Sequence, residues 1–394
     1  MKYNGIILSD VHFGAFDPYI LKQELENVFI EYLNSMKSID FIIIDGDYFD
    51  HKIYLNDRTS DYALSIMDKI VYYAKIHHCP IRIIYGTESH EVNQYNIFAV
   101  YENDYNLDFK IIYTVTEEKL LPDLDVLYIP EEYMYSKSEF YKEYFKNEKK
   151  YNYIFGHGVI NEVMTMIKRN REEQKEKNQK KVPRFSTAEL LKMCKGQVYF
   201  GHYHINTNIN DKIFYVGSYS RWCFGEEQPK GFYHIQYDTK KEKYSQEFIE
   251  NTLVKKYTTY TYGYNSAIME SEEKLLQELN QRDKETEYKC SDYVRYVFNI
   301  PENHPNPESI INLLNERYKF NDSVKIQVVN GYVEKKKKIN KEKLNNVLNE
   351  FPMIFDKSVK IEDKIVYFIK KRKNKDIPLE HVKEYLYSNE ESSD

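Results

Sequence analysis

"YNGIILSDVHFG", residues 3 to 14, decides the fold. An apolar run, Ile6 to Leu8, stops abruptly and hands over to Ser9, Asp10 and His12, with Gly14 behind them. Such a run reads as a short buried strand that delivers polar groups at its C-terminal end. The same design recurs in "IDFIIIDGDYFD", residues 39 to 50, and in "IRIIYGTESHE", residues 81 to 91. Between these strands lie two amphipathic stretches. In residues 17 to 37, Leu21, Leu25, Val28, Phe29 and Leu33 recur at helical spacing. Residues 59 to 78 form the second helix, with Thr59 or Ser60 as its expected N-cap. Strand, helix, strand, helix, strand with short connections predicts an α/β protein with a parallel sheet core. Ligands of open α/β sheets bind at the C-terminal strand edge, where Asp10, His12, Asp47, Asp50, Ser89 and His90 collect.

Further strands are expected at "DVLYIP", "YNYIFGH", "GQVYFGHYH", "KIFYVGS" and "KGFYHIQYD". After about residue 255 the pattern changes. Residues 265 to 289 are polar and helix-prone, and "DYVRYVFNIPE", "PNPESIINLLNERYKF" and "DSVKIQVVN" then read as strand, helix, strand, a small α+β module. Residues 334 to 343, "EKKKKINKEK", read as a linker, and the C-terminal stretch places apolar positions beside a basic run. Residues 168 to 181 hold seven basic and three acidic side chains, and read either as a solvated segment or as one that touches a polyanion.

A chain of 394 residues has room for two domains, and 42% hydrophobic with 30% charged residues allows a sizeable core beneath a solvated surface. The net charge of −6 exerts no global pull on nucleic acid, so any such binding must use local patches. Cys79, Cys194, Cys223 and Cys290 show no pairing or zinc-like spacing and read as reduced thiols. The N-terminus enters a strand at once, with no signal-peptide core, and no apolar stretch approaches a membrane span. A soluble cytoplasmic protein is expected.

Asp10 and His12 stand two apart on an extended strand exit, so both can face one side. One carboxylate and one imidazole there suit a borderline divalent metal. Asp47 directly follows Gly46, and its two oxygens can bridge two cations. Asp50 reads as a cap for the following segment, Asp45 as a group that orients the loop, and His51 as an exposed neighbour. His157 ends the strand "YNYIF", and His202 and His204 again stand two apart after an apolar run. Four such motifs, each at a strand terminus, point together to a dinuclear metal site.

With these motifs the sequence resembles the calcineurin-like metallophosphoesterases, and within them the SbcD and Mre-type nuclease subunits, tailed-phage relatives included. The resemblance covers residues 1 to about 245. Its less generic part is "FYVGSYSRWCFGEEQPKGFYHIQYD", residues 214 to 238. It implies a sandwich of two mixed β-sheets flanked by helices over residues 1–255. A smaller α+β capping, DNA-binding domain would follow over 256–335, and a linker with a helical tail that docks an ATPase over 336–394. It further implies two Mn²⁺ ions, with Mg²⁺ or another divalent ion as alternatives. One would be held by Asp10, His12, Asp47 and His204, the other by Asp47, His157 and His202, with His90 as the acid that protonates the leaving oxygen.

Where the family reads Gly-Asn-His-Asp, this chain reads Gly86-Thr87-Glu88-Ser89-His90-Glu91. If His90 keeps its place, Ser89 takes that of the ligating amide. A hydroxyl is the weaker ligand, which leaves three alternatives: a looser second ion, an added water, or recruitment of Thr87 or Glu88. The resemblance implies 3′→5′ exonuclease activity on duplex DNA and endonuclease activity on single strands. The implied partners are DNA and an SbcC-like coiled-coil ATPase, in a homodimer or a heterotetramer with that ATPase. The metal motifs alone do not choose the substrate, so a phosphatase or cyclic-nucleotide phosphodiesterase, or a non-catalytic DNA-end-binding scaffold, stands beside this reading.

Overall fold

The structure is a computed structural model. It describes residues 1–54, 56–91, 93–133, 141, 144, 149–163, 182, 184–262, 271–285, 293–299, 307–319, 321–329, 359–373, 376 and 378–387. The basic run 168–181 and the linker 334–343 lie outside the described residues, as does Cys290. One compact unit comprises Met1–Asn299 and Asn306–Val329. In the second, the described elements are the helices Ile361–Lys373 and Leu379–Tyr387.

The protein is α/β, with two six-stranded mixed sheets flanked by helices. In the first sheet, β1 (Lys2–Leu8), β2 (Phe41–Asp45), β3 (Ile81–Ile84) and β4 (Phe109–Ile112) run parallel and in sequence order. The second sheet is built on β5 (Thr116–Leu121), β6 (Leu124–Ile129), β7 (Tyr151–His157) and β10 (Cys194–Gly201). The short pair β8 (Val159–Ile160) and β9 (Arg184–Phe185) stands apart from it, and β11 (Thr207–Asn208) and β12 (Ile213–Tyr215) complete the second sheet beyond β10. The chain then returns to the first sheet, where β13 (Gly231–Asp238) pairs antiparallel with β1, and β14 (Lys243–Glu250) with β13. The edge strands β5 and β14 are half exposed, which is why no apolar run announces them in the sequence.

Side chains alternate across β1 and β2 with the period of two that a strand imposes. Ile6, Leu8, Ile42 and Ile44 face the flanking helices. Tyr3, Ile7, Phe41 and Ile43 face the second sheet, against Tyr128, Tyr153, Phe155 and Tyr199. A third apolar layer, including Ile154, Val198 and Phe200, covers the outer side of the second sheet. Each fully buried side chain of this kind contributes about 1.5–3 kcal/mol.

The helix Arg58–His77 is capped by Asp57, which accepts from Thr59 N at 2.8 Å, so the cap lies two residues before the expected Thr59. Its other end closes on His78 in the left-handed region, φ 53°. Three further strands, β15 (Tyr257–Tyr262), β16 (Tyr293–Asn299) and β17 (Val324–Val329), form a small sheet that is parallel throughout. The described helices Glu272–Glu285 and Pro307–Tyr318 fall in its two crossovers, as parallel pairing requires. Among the described residues, no helix is long and apolar enough to cross a membrane. Cys79 and Cys194 are buried free thiols, and Cys223 is exposed.

An ion pair ties the two large sheets together at one edge. Arg82 of β3, 1% exposed, places Nε and Nη2 each 2.8 Å from the two oxygens of Glu118 on β5. Its Nη1 donates to the Ile81 and Asp108 carbonyls, and Nη2 also donates to Asp108 Oδ2 at 3.0 Å. Burial by itself raises the Glu118 pKa, but Arg82 and Lys110 outweigh it and hold it at about 2, against an ordinary 4.5. The stabilisation this carboxylate contributes is therefore complete above pH 4.5 and is lost as pH falls through about 2. In urea unfolding measured from pH 6 to pH 2, Glu118→Gln is expected to lose stability less steeply than wild type across that window. Arg82→Ala, which leaves half-buried Glu118 with Lys110 and Tyr128 as its partners, is expected to lower stability in the same measurement.

Candidate metal centre

The loops after β1 and β2 lie side by side because their main chains continue the parallel pairing. His12 N donates to Asp47 O at 3.0 Å, Phe13 N to Tyr48 O at 2.9 Å, and Asp50 N to Phe13 O at 3.0 Å. To turn side chains inward, Asp10, His12, Asp47 and His202 all adopt positive φ, of 47°, 55°, 47° and 95°. That region is costly for residues with a Cβ, and such strain concentrates at functional sites. Gly46 (φ 77°) makes the turn before Asp47, and a Cβ there would stand 2.1 Å from His157 Nδ1. A Cβ on Gly86 would stand 2.4 Å from the Asp47 main-chain nitrogen. Close approach of main chain to side chain at this point requires glycine.

Asp10, His12, Asp47, His90, His157, His202 and His204 converge on one place, from strand ends far apart in sequence. Their ligand atoms fall into overlapping groups, within each of which all lie within 4.8 Å of one another. Asp10, His12 and His204 form one group, and His157, His202 and Glu131 another; Asp47 joins His12 with His90, and Asp10 with His157. His157 Nε2 lies 3.2 Å and His12 Nε2 3.7 Å from Asp47 Oδ2. Both imidazole nitrogens are buried and have no hydrogen-bond partner. Two orphaned nitrogens facing shared carboxylates fit a divalent cation, which such donors bind.

The opposite nitrogen of each of these rings is held from behind. His157 Nδ1 lies 2.9 Å from the Asp45 carbonyl oxygen, so it is the main chain of Asp45 that orients this part of the site. His12 Nδ1 lies 3.1 Å from Asp50 Oδ1, and His204 Nδ1 3.0 Å from Glu226 Oε1. Asp50, expected as a cap, instead fixes a ring, because the loop folds it back beneath His12. Glu226 is steadied by Lys230, whose buried ammonium reaches it at 3.3 Å and donates to Ser218 Oγ and the His204 carbonyl. Trp222 packs its ring 4.8 Å from His12 and 4.7 Å from His204.

Burial pulls the His12 pKa down, but Asp10, Asp50 and Asp47 outweigh it and carry it to about 9. Burial likewise works against ionised Asp10, yet His12, His157 and His204 draw it down to about 2. His157 is raised, its burial overcome by Asp47, Asp10 and Glu131. Buried carboxylates thus hold protons on neighbouring imidazoles, and a cation entering the site displaces those protons.

His90 sits at the rim, 31% exposed, on the short helix Glu88–Glu91, with Nδ1 3.0 Å from Asp47 Oδ2. Glu91 anchors that helix from inside, accepting from Tyr48 N at 2.9 Å and Tyr95 Oη at 2.7 Å. Ser89 is exposed on the same helix. Thr87 faces inward, donating from N to Asp47 Oδ1 at 2.6 Å, with Oγ1 3.1 Å from Asp47 Oδ2 and 3.2 Å from Glu131 Oε2. Glu131, just beyond β6, was missed in the sequence. It follows the apolar "VLYIP" as Asp10 follows "IIL", but no histidine or glycine neighbour drew attention to it. Beside His202 and His204 a cleft of about 440 Å³ opens, lined also by Tyr203, Cys223, Phe224 and Glu226.

Trp222, the single tryptophan of the chain, is placed to report on the His12 and His204 side of the site. Asp50→Asn and Glu226→Gln are each expected to weaken Mn²⁺ binding there by about 10–100-fold, as loss of an orienting partner typically does. Quenching of Trp222 fluorescence in a Mn²⁺ titration measures it. Unchanged quenching curves would show that these carboxylates do not orient ligands.

No family model matches the chain, and no curated protein matches it. Several solved structures match; one of them, a crystal structure, aligns over 64% of this chain and 100% of its own, at 11% identity and a TM-score of 0.32. That likeness is too loose to carry an argument about fold or function, which rest on the geometry. The geometry shows buried His/Asp groups able to bind divalent metal ions.

Proposed function

We propose that the chain is a divalent-metal-dependent phosphodiesterase that cleaves DNA. The observation that carries this reading is the set of overlapping donor groups around buried Asp47, with His90 at the rim. Asp10, His12, Asp47 and His204 would hold one ion; Asp47, His157 and His202 would hold the second. Bound there, divalent ions would neutralise phosphate charge and make water nucleophilic near neutral pH. Mn²⁺ suits the mixed imidazole and carboxylate donors, and Mg²⁺ is the alternative.

The chain's own residues supply the rest. Asp47 fixes His90 through Nδ1 at the rim, where a substrate phosphate meets solvent. The water oxygen, its proton released to solvent, bonds to phosphorus, the bond from phosphorus to the 3′ oxygen breaks, and His90 gives that oxygen its proton. The products are a 5′-phosphate and a 3′-hydroxyl.

The choice of DNA is supported by residues 214 to 238 and by what they touch. Trp222 packs on the metal-site rings. Two residues on, Phe224 packs against Tyr257 of β15 and lies under Arg295 of β16 and Lys325 of β17. One loop thus joins the candidate centre to two cations of the small parallel sheet, Arg295 and Lys325, positive charge of the kind a polyanionic substrate needs. An SbcC-like ATPase bound through the C-terminal helices, and a dimeric or heterotetrameric assembly, belong to the same proposal.

With Mn²⁺, the purified protein is expected to degrade end-labelled duplex DNA from its 3′ ends and to nick single strands. Intact DNA beside rapid turnover of small phosphomonoesters or cyclic nucleotides would overturn the choice of substrate. His90→Ala is expected to lower turnover by about 10²–10⁴-fold, the usual contribution of a positioned acid. Its Mn²⁺ stoichiometry should stay that of wild type; loss of an ion would make His90 a ligand instead.

A further inference from the structure

We infer that Glu131 is the carboxylate ligand of the second ion, doing what the sequence looked for in Ser89. This rests on the two-ion reading above. Glu131 is 2% exposed, and its Oε2 lies 2.9 Å from His202 Nδ1 and 3.8 Å from the unpartnered His157 Nε2. Donors about 2.0–2.2 Å from a common ion stand roughly 3–3.5 Å from one another, close to these separations. The outer oxygen is held from behind, since Tyr133 Oη donates to Oε1 at 3.2 Å. The main chain is fixed as well, with Glu131 N donating to Tyr85 O at 3.1 Å, a bond that joins the exit of β6 to the exit of β3. Thr87 Oγ1 stands between Glu131 Oε2 and Asp47 Oδ2, at 3.2 and 3.1 Å, and so spaces the two carboxylates.

A buried carboxylate differs from a hydroxyl or an amide in charge. With Asp10, Asp47 and Glu131 ionised, three negative charges face the four positive charges of two divalent ions. The second ion is held by Coulomb attraction as well as by lone pairs, and oxygen-preferring ions such as Mn²⁺ and Mg²⁺ are favoured there. Ser89 is exposed and is not needed as a ligand.

The test counts Mn²⁺ bound to the full chain by equilibrium dialysis and records its electron paramagnetic resonance spectrum, where two neighbouring ions give an exchange-coupled signal. Glu131→Gln keeps the shape and removes the charge. It is expected to weaken the second ion by more than about 10-fold, the least that even an outer-shell partner typically contributes. The coupled signal should give way to that of an isolated ion, while Trp222 quenching by the first ion stays as in wild type. Ser89→Ala is expected to match wild type in every readout. Tyr133→Phe, a milder change, should weaken the second ion less than Glu131→Gln does. Two ions bound at wild-type affinity by Glu131→Gln, or loss of the second ion in Ser89→Ala, would overturn the inference and leave the two-ion reading standing. Fewer than two ions on the wild-type protein would overturn that reading itself, and the inference with it.

Discussion

Asp47 is the constraint on which the site depends. Its carboxylate accepts from the Thr87 main chain, meets the Thr87 hydroxyl and His90 Nδ1, and faces the unpartnered nitrogens of His12 and His157. These contacts draw together the exits of β1, β2, β3 and β7, from both large sheets. The left-handed main chain at Asp47, and the glycine before it, are the conformational cost of placing one carboxylate within reach of all of them. Burial raises the cost further, because an ionised carboxylate out of water must be matched by positive charge. The imidazoles provide that match, and hold the Asp47 pKa well below the usual carboxylate range although burial alone would raise it.

Rigidity around this point comes from the rings' rear contacts. The Asp45 carbonyl, Asp50 and Glu226 each hold the nitrogen that faces away from the site, so Nε2 of His12, His157 and His204 is turned towards the carboxylates. This is the arrangement that metal-ligating histidines require, since a hydrogen bond at one ring nitrogen sets the tautomer and leaves the lone pair on the other. Protons held on these imidazoles are the natural competitors of a cation, which couples ion binding to pH.

The loop from Arg221 to Lys230 links the centre to the rest of the molecule. Lys230 is buried among Glu226, Ser218 and the His204 carbonyl, which fixes the base of the loop. Arg221 reaches outward to the Lys255 and Gln228 carbonyls, tying the loop to the chain that enters β15. Trp222 and Phe224, two residues apart, divide their contacts between the metal-site rings and the small sheet.

By itself the sequence determined the parallel core of the first sheet and placed Asp10, His12, Asp47, His90, His157, His202 and His204 at strand ends. These positions were legible because each follows an apolar run short enough to be a buried strand; that the exits of β7 and β10 meet those of β1, β2 and β3 was decided by the packing of the two sheets. The small module was legible in its two later strands and its helices, though not in β15 or in its purely parallel pairing, which depends on which edges meet. What only the tertiary structure decided lies between elements distant in the chain. Glu131 meets Thr87 across 44 residues, and Asp50 meets His12 across 38. Neither pairing leaves a periodic trace. Glu131 carries no mark of its own because a carboxylate after a strand is common. It becomes a candidate ligand only where the second sheet brings β6 against the end of β3, excludes water, and leaves His157 without another partner.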